Sequence, residues 1–262
     1  RGGVTRRRLS QLTQQELFTA LGLLPADVVK QIGKRHPLLI PPFTNDTLRR
    51  AVQDYLAGGA RKEDIVKKYG EISNWDVSNV WYMSGMFANA RSFNQPLNNW
   101  NVSKVTNMGG MFWGAESFNQ PLNNWNVSKV TNMTDMFRDA SSFNQPLDKW
   151  NVSNVKYIGG MFRYARSFNQ PLNKWNVSNV ESMYKMFHEA RSFNQPLNNW
   201  NVSNVRYMAE MFNGATSFNQ PLNDWDVSND DWDGTRSHVT TMNDMFLGAT
   251  SFNQPRHAPW YH

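Results

Sequence analysis

The chain has 262 residues, 40% of them hydrophobic, a formal charge of +6, no cysteine, and no run approaching the roughly 18 to 20 apolar residues of a membrane span. The absence of cysteine excludes a disulfide framework, a thiolate metal site and a thiol nucleophile. The charge is uneven, because Arg1, Arg6, Arg7, Arg8, Lys30, Lys34 and Arg35 face only Glu16 and Asp27 in the first 36 residues.

Residues 1–44 read as a basic helical arm. Thr13-Gln14-Gln15-Glu16 has capping-box spacing ahead of Leu17, Phe18 and Leu21, and a second short helix is expected from Pro25 to Ile32. Arg6, Arg7, Arg8, Lys34 and Arg35 are candidates for contact with an acidic surface, the other reading being a solvated tail. The chain opens on Arg1 with no signal-peptide pattern, so a processed form or a fragment is expected. Residues 45–70 read as a helical cap: Asn45-Asp46-Thr47 precedes Leu48, Ala51, Val52, Tyr55 and Leu56 at helical spacing, and Gly58-Gly59 ends that segment.

From residue 71 to 262 the chain is an array. Trp75, Trp100, Trp125, Trp150, Trp175, Trp200 and Trp225 recur every 25 residues, as do the Met-Phe pairs from 86/87 to 211/212. Such small units cannot bury their own apolar faces and must share a core with their neighbours. Leu97, Trp100 and Val102 alternate with polar residues as in a short strand, and Val105, Met108, Met111, Phe112 and Ala115 follow at helical intervals. The expected fold class is therefore α/β: a solenoid of seven strand-helix coils behind a helical N-terminal region and cap. The tryptophans should be buried, with bonded indole N–H groups, in a ladder at the roughly 4.8 Å of strand pairing. The asparagines and glutamines of Phe-Asn-Gln-Pro should bond the loop backbone and each other.

Trp-Asn/Asp-Val-Ser-Asn/Lys-Val followed by Met-x-x-Met-Phe-x-x-Ala-x-Ser-Phe-Asn-Gln-Pro-Leu, over residues 71–255, resembles the BspA-like surface-protein repeats. That leucine-rich-repeat-like family is seen in bacterial surface lipoproteins, notably of mycoplasmas, and in protists, algae and large DNA viruses. The resemblance implies a right-handed leucine-rich-repeat-like array used for adhesion or protein contact, without catalytic activity.

The residues themselves point the same way. His36, His188, His238, His257 and His262 are scattered, paired carboxylates do not recur, and no glycine-rich phosphate loop occurs, so no enzyme activity is expected. A nine-residue insertion interrupts the last unit. There Asn229, Asp231 and Asp233, followed by Gly234, imitate the front of a calcium loop, although Thr240 stands where the closing Glu would be; the other reading is a looped-out partial duplication of Asn223 to Asp226. No cofactor other than calcium is expected. Between units the Asn/Asp position from Asp76 to Asp226 is uniform, and its five Asn-x-Ser sequons read as by-products of the repeat. The slots holding Tyr82, Asn107, Tyr157 and Tyr207, or Trp113, Arg138, Arg163 and His188, vary. Arg138, Arg163, Tyr164 and His188 form the expected partner-binding patch, or else are unconstrained solvent positions. A structural or protein-interaction module is expected, without specific nucleic-acid readout or a transmembrane segment. It would be a component of a large assembly such as a virus particle, or a surface-displayed adhesin; the alternative is glycan or ligand binding by the uniform Asn/Ser face.

Overall fold

A computed structural model describes residues 40–227 and 241–261. The basic candidates Arg6, Arg7, Arg8, Lys34 and Arg35, the helices expected before residue 36, and the calcium candidates Asn229, Asp231 and Asp233 lie outside the described residues. Two helices precede the repeats: α1, Asn45–Ala57, and α2, Gly59–Tyr69. Thr44, one residue before the expected capping segment, is the N-cap of α1 and forms a reciprocal capping box with Thr47. Helix α1 buries Leu48, Ala51, Val52 and Tyr55 against the first repeat. Phe43, Tyr55 and Tyr69 surround Trp75, with ring centroids 5.1, 5.8 and 6.3 Å from it. Polar groups join the same seam: Asn45 Oδ1 accepts from the Trp81 and Tyr82 amides, and Arg49 donates to the Ser84 carbonyl at 2.8 Å.

The repeats are not α/β strand-helix coils. Among the described residues the units contain neither an extended strand nor a sheet, only six isolated parallel bridges running Tyr82, Asn107, Asn132, Tyr157, Ser182, Tyr207 and Thr241. After α2 come a 3-10 turn at Ile72–Asn74 and, beyond the insertion, the four-residue α3, Gln254–His257. The rest of the described repeat residues form turns, these bridges and irregular backbone. The segment expected to be a strand closes local turns, with Trp100 N–H donating to Leu97 and Val105 N–H to Val102.

The segment expected to be a helix divides its amides between two partners. In the second unit Met108, Gly110, Phe112 and Gly114 donate to the carbonyls of Asn132, Thr134, Met136 and Arg138 in the next unit, at 2.7 to 2.9 Å. The alternate amides of Met111, Trp113 and Ala115 donate three residues back, to Met108, Gly110 and Phe112. An α-helix needs every interior amide bonded four residues back and right-handed dihedrals throughout. Two positions per unit break that rule by taking positive φ, as in Gly110 and Gly114, Asp135 and Asp139, or Lys185 and Glu189. The resemblance to a right-handed leucine-rich-repeat-like architecture thus fails at the level of secondary structure.

Stacking in register builds a continuous core. One phenylalanine ladder runs Phe87, Phe112, Phe137, Phe162, Phe187, Phe212 and Phe246 with centroids 5.5 to 5.8 Å apart. A second, from Phe93 to Phe252, steps 5.6 to 6.1 Å beside it. All seven expected tryptophans are buried. From Trp100 onward each indole N–H reaches back to a carbonyl of the preceding unit, as Trp150 does to Leu122 at 3.0 Å. Their stacking distance corrects the expectation: the ring centroids of Trp125, Trp150 and Trp175 lie 6.5 and 6.4 Å apart, wider than strand spacing. An eighth indole, Trp260, stacks on Trp225 at 6.2 Å and bonds Leu222.

Candidate interaction surface

Each unit has two polar edges, and their side chains have different work. On one edge Asp76, Asn101, Asn126, Asn151, Asn176 and Asn201 accept the amide of the serine two residues on, at 3.0 to 3.2 Å. The side-chain oxygen mimics a backbone turn, so the uniformity is a folding requirement. On the Phe-Asn-Gln-Pro edge Asn119 Oδ1 receives both the Asn144 amide and the Gln145 side-chain amide, at 3.0 and 3.1 Å. The same pair of bonds joins Asn94, Asn144, Asn169 and Asn194 to the unit that follows each. This asparagine ladder is the one expected from the sequence.

The varied slots that hold Tyr82 and Trp113 and their equivalents fall on the turn segments 81–89, 106–114, 131–139, 156–164, 181–189, 206–214 and 241–248, which line up as one face. Among the described residues, seven of the eight exposed large hydrophobic side chains are there, namely Trp81, Tyr82, Trp113, Tyr157, Tyr184, Tyr207 and Leu247; the eighth is Leu56. Arg138, Arg163, Tyr164 and His188 lie on this face, half-buried, with Arg163, Tyr164 and His188 in contact and Arg138 engaged with other neighbours. Arg138 lies over the Trp113 ring at 5.0 Å and pairs with Asp139 at 3.3 Å. Arg163 lies over Tyr164 at 5.1 Å, and Tyr164 meets His188 edge-on at 5.3 Å. His188 Nδ1 is 3.4 Å from Glu210 Oε2, without hydrogen-bond geometry. Burial, together with the nearby Arg163, holds the His188 pKa below the ordinary value despite Glu210.

Beside this cluster is a cleft of about 160 Å³ floored by Gly159 and Gly160 and bordered by Tyr157, Tyr184, Asp135, Arg163 and Lys185. Burial raises the pKa of Asp135 against the opposing pull of Arg138 and Arg163. Lys185 pairs with Glu210 at 3.1 Å and covers the Tyr184 ring at 4.9 Å. Asp135, Lys185, Tyr184 and Glu210 do not stand out in the sequence, because helical spacing sets them on different slots from the varied ones. The Gly159-Gly160 pair, a side-chain gap between bulky neighbours, was the available signal.

These features define a turn-built repeat protein with one varied, aromatic-bearing face, and no described helix is long and apolar enough to cross a membrane. The family model described as "Mycoplasma protein of unknown function, DUF285" matches residues 61–164 and 146–254, well over half of the chain, and the chain belongs to that family. The match accords with the BspA-like resemblance at the level of the repeat. No curated protein and no solved structure matches the chain.

Proposed function

We propose that this chain is a non-enzymatic interaction module that offers its turn face to a partner protein. The carrying observation is the concentration of exposed Trp and Tyr on that one face. Aromatic residues on a rigid scaffold bury large areas at small entropic cost, and they are enriched among the residues that dominate binding energies. The charged cluster around Arg138, Arg163 and His188 would fix which partner is accepted. The Asn/Ser edge has less to offer a glycan, since its side-chain oxygens already accept the serine amides. In this reading the array serves as a display surface in a large assembly or on a cell surface, with the basic N-terminal segment as an anchor.

Affinity capture with the intact chain tests the face. Replacing Tyr157, Tyr184 and Tyr207 together by Ser should reduce partner recovery at least about tenfold, while replacing Asn154 and Asn179, exposed on the other edge, should leave it unchanged. A chain lacking residues 1–36 should lose the salt-sensitive part of the recovery, because exposed charges are screened within about 8 to 10 Å at physiological ionic strength. Equal recovery by the tyrosine variant and the intact chain would reject the turn face.

A further inference from the structure

The asparagine ladder begins with an open rung. In later units, beginning with Asn119 and Gln120, the loop asparagine amide and the glutamine side chain converge on the preceding unit's asparagine Oδ1. Asn94 and Gln95 are the first such pair, and among the described residues neither donor has a partner. The Ser92 amide is in the same position, since its equivalents Ser117, Ser142 and Ser167 each donate to the unit before. So is the Ala88 carbonyl, whose equivalent Trp113 accepts from Asn89. Helices α1 and α2 cover Trp75 and satisfy Ser84, but they leave this stretch uncovered. The result is a groove of about 540 Å³ with Tyr55, Leu56 and Lys62 on one wall and Ala88, Ser92, Asn94 and Gln95 on the other. Leu56 is 39% exposed there, and the Lys62 ammonium sits 4.5 Å above the Tyr55 ring without a carboxylate partner among the described residues.

We propose that this groove is a docking site for an extended segment of a partner protein that places an aspartate on the open rung. The geometry for the bound oxygen is already written in the array, where one amide oxygen takes two donors at 2.9 to 3.1 Å. An aspartate carboxylate has the shape of the asparagine amide it replaces. It accepts on both oxygens, forms charge-assisted bonds with the two donors, and offers a carboxylate to Lys62, which has none among the described residues. The segment's own backbone pairs with the Ala88 carbonyl and the Ser92 amide, as an added rung does, and its apolar residue covers the exposed Leu56. The proposal shares with the function above only the premise that the ligand is a protein, and it concerns a different surface.

Titration calorimetry of the full chain with the blocked hexapeptides Ser-Phe-Asp-Gln-Pro-Leu, Ser-Phe-Asn-Gln-Pro-Leu and Ser-Phe-Ala-Gln-Pro-Leu tests it. The Asp peptide should bind at least about tenfold more tightly than the Ala peptide, with the Asn peptide between them. Gln95→Ala and Lys62→Ala should each weaken the Asp peptide severalfold. Gln195→Ala should not, because that amide is already bonded to Asn169. Equal affinity for the Asp and Ala peptides, indifference to Gln95→Ala, or absence of binding would overturn the proposal. Binding lost with the turn-face tyrosines instead of Gln95 would move the site to that face. Binding that emerges only after removal of residues 1–36 would give the groove to the chain's own N-terminal segment, and a dimer dissolved by Gln95→Ala would give it to a second copy; both would overturn the choice of occupant.

Discussion

His188 illustrates how a varied position acquires chemistry from its neighbours. Its side chain is 12% exposed, packed against Tyr164, and set between the positive Arg163 and Lys185 and the negative Glu210 and Glu189. Burial and Arg163 prevail, so the folded protein takes up this proton at a lower pH than the unfolded chain does. The unfolded state then binds more protons in that interval, and stability falls as pH drops from the ordinary histidine value of about 6.5 through the lowered one. Melting temperatures measured from pH 8 to pH 5 should decline across that window, and His188→Asn should flatten the decline. A variant that retains the full slope would assign it to another group. Asp135, whose pKa is raised, works in the opposite sense: its contribution is greatest below the ordinary carboxylate value and is lost as pH rises through the raised one.

The element of this protein is the turn segment, and three of its left-handed positions are matched to a glycine in the next unit, whereas Asp139, Tyr164 and Lys185 are followed there by Tyr164, Glu189 and Glu210. Asn89, Asp135 and Glu189 hold positive φ, and the residue 25 positions later is a glycine each time: Gly114, Gly160 and Gly214. A Cβ on Gly160 would stand 2.2 Å from Asp135 Oδ1, so the glycine makes room for the carboxylate as well as adopting φ 64° itself. Gly160→Ala should therefore cost more than the roughly 1 to 2 kcal/mol of a left-handed residue alone. Asp135→Gly should recover the excess in a double-mutant cycle measured by chemical denaturation; additive effects would contradict the matching. This pairing also explains what the sequence could and could not disclose. Met108, Met111, Phe112 and Ala115 recur at three- and four-residue steps, which a helix and a chain of turns closing three residues back produce equally well. The recurrent glycines at 85, 110, 114 and 160 favoured turns, but Lys185, Glu189 and Glu210 hold the same backbone without a glycine to reveal it. Helix α1 was legible because its apolar residues, cap and glycine stop agree. On the candidate face Arg138, Arg163, Tyr164 and His188 stand out by variation alone, whereas the Gly159-Gly160 cleft needs the turn register to bring Asp135 and Tyr184 together.

At the scale of the molecule the stack behaves as one core cut into repeats. Each unit supplies the same buried set, and each finds its missing bonds in its neighbours: indole N–H to the previous unit, alternate amides to the next, asparagine oxygen to both the amide and the glutamine that follow. The burial and the asparagine ladder were readable from period alone, since identical residues at fixed spacing must meet their own copies. Trp260 was harder to see, because Phe252 to Trp260 is one residue longer than Phe93 to Trp100 and Arg256 replaces the usual leucine. Stability is then shared between adjacent units, while the varied face can change without disturbing the bonds that join them. The division of amides is the central claim, and scalar couplings across hydrogen bonds, measured by NMR on isotope-labelled protein, test it most directly. The account predicts couplings from the Phe137 amide to the Met161 carbonyl and from the Met161 amide to the Ile158 carbonyl, with the same alternation in each interior unit. Couplings linking each amide of the segment to the carbonyl four residues back would contradict it and restore the helix.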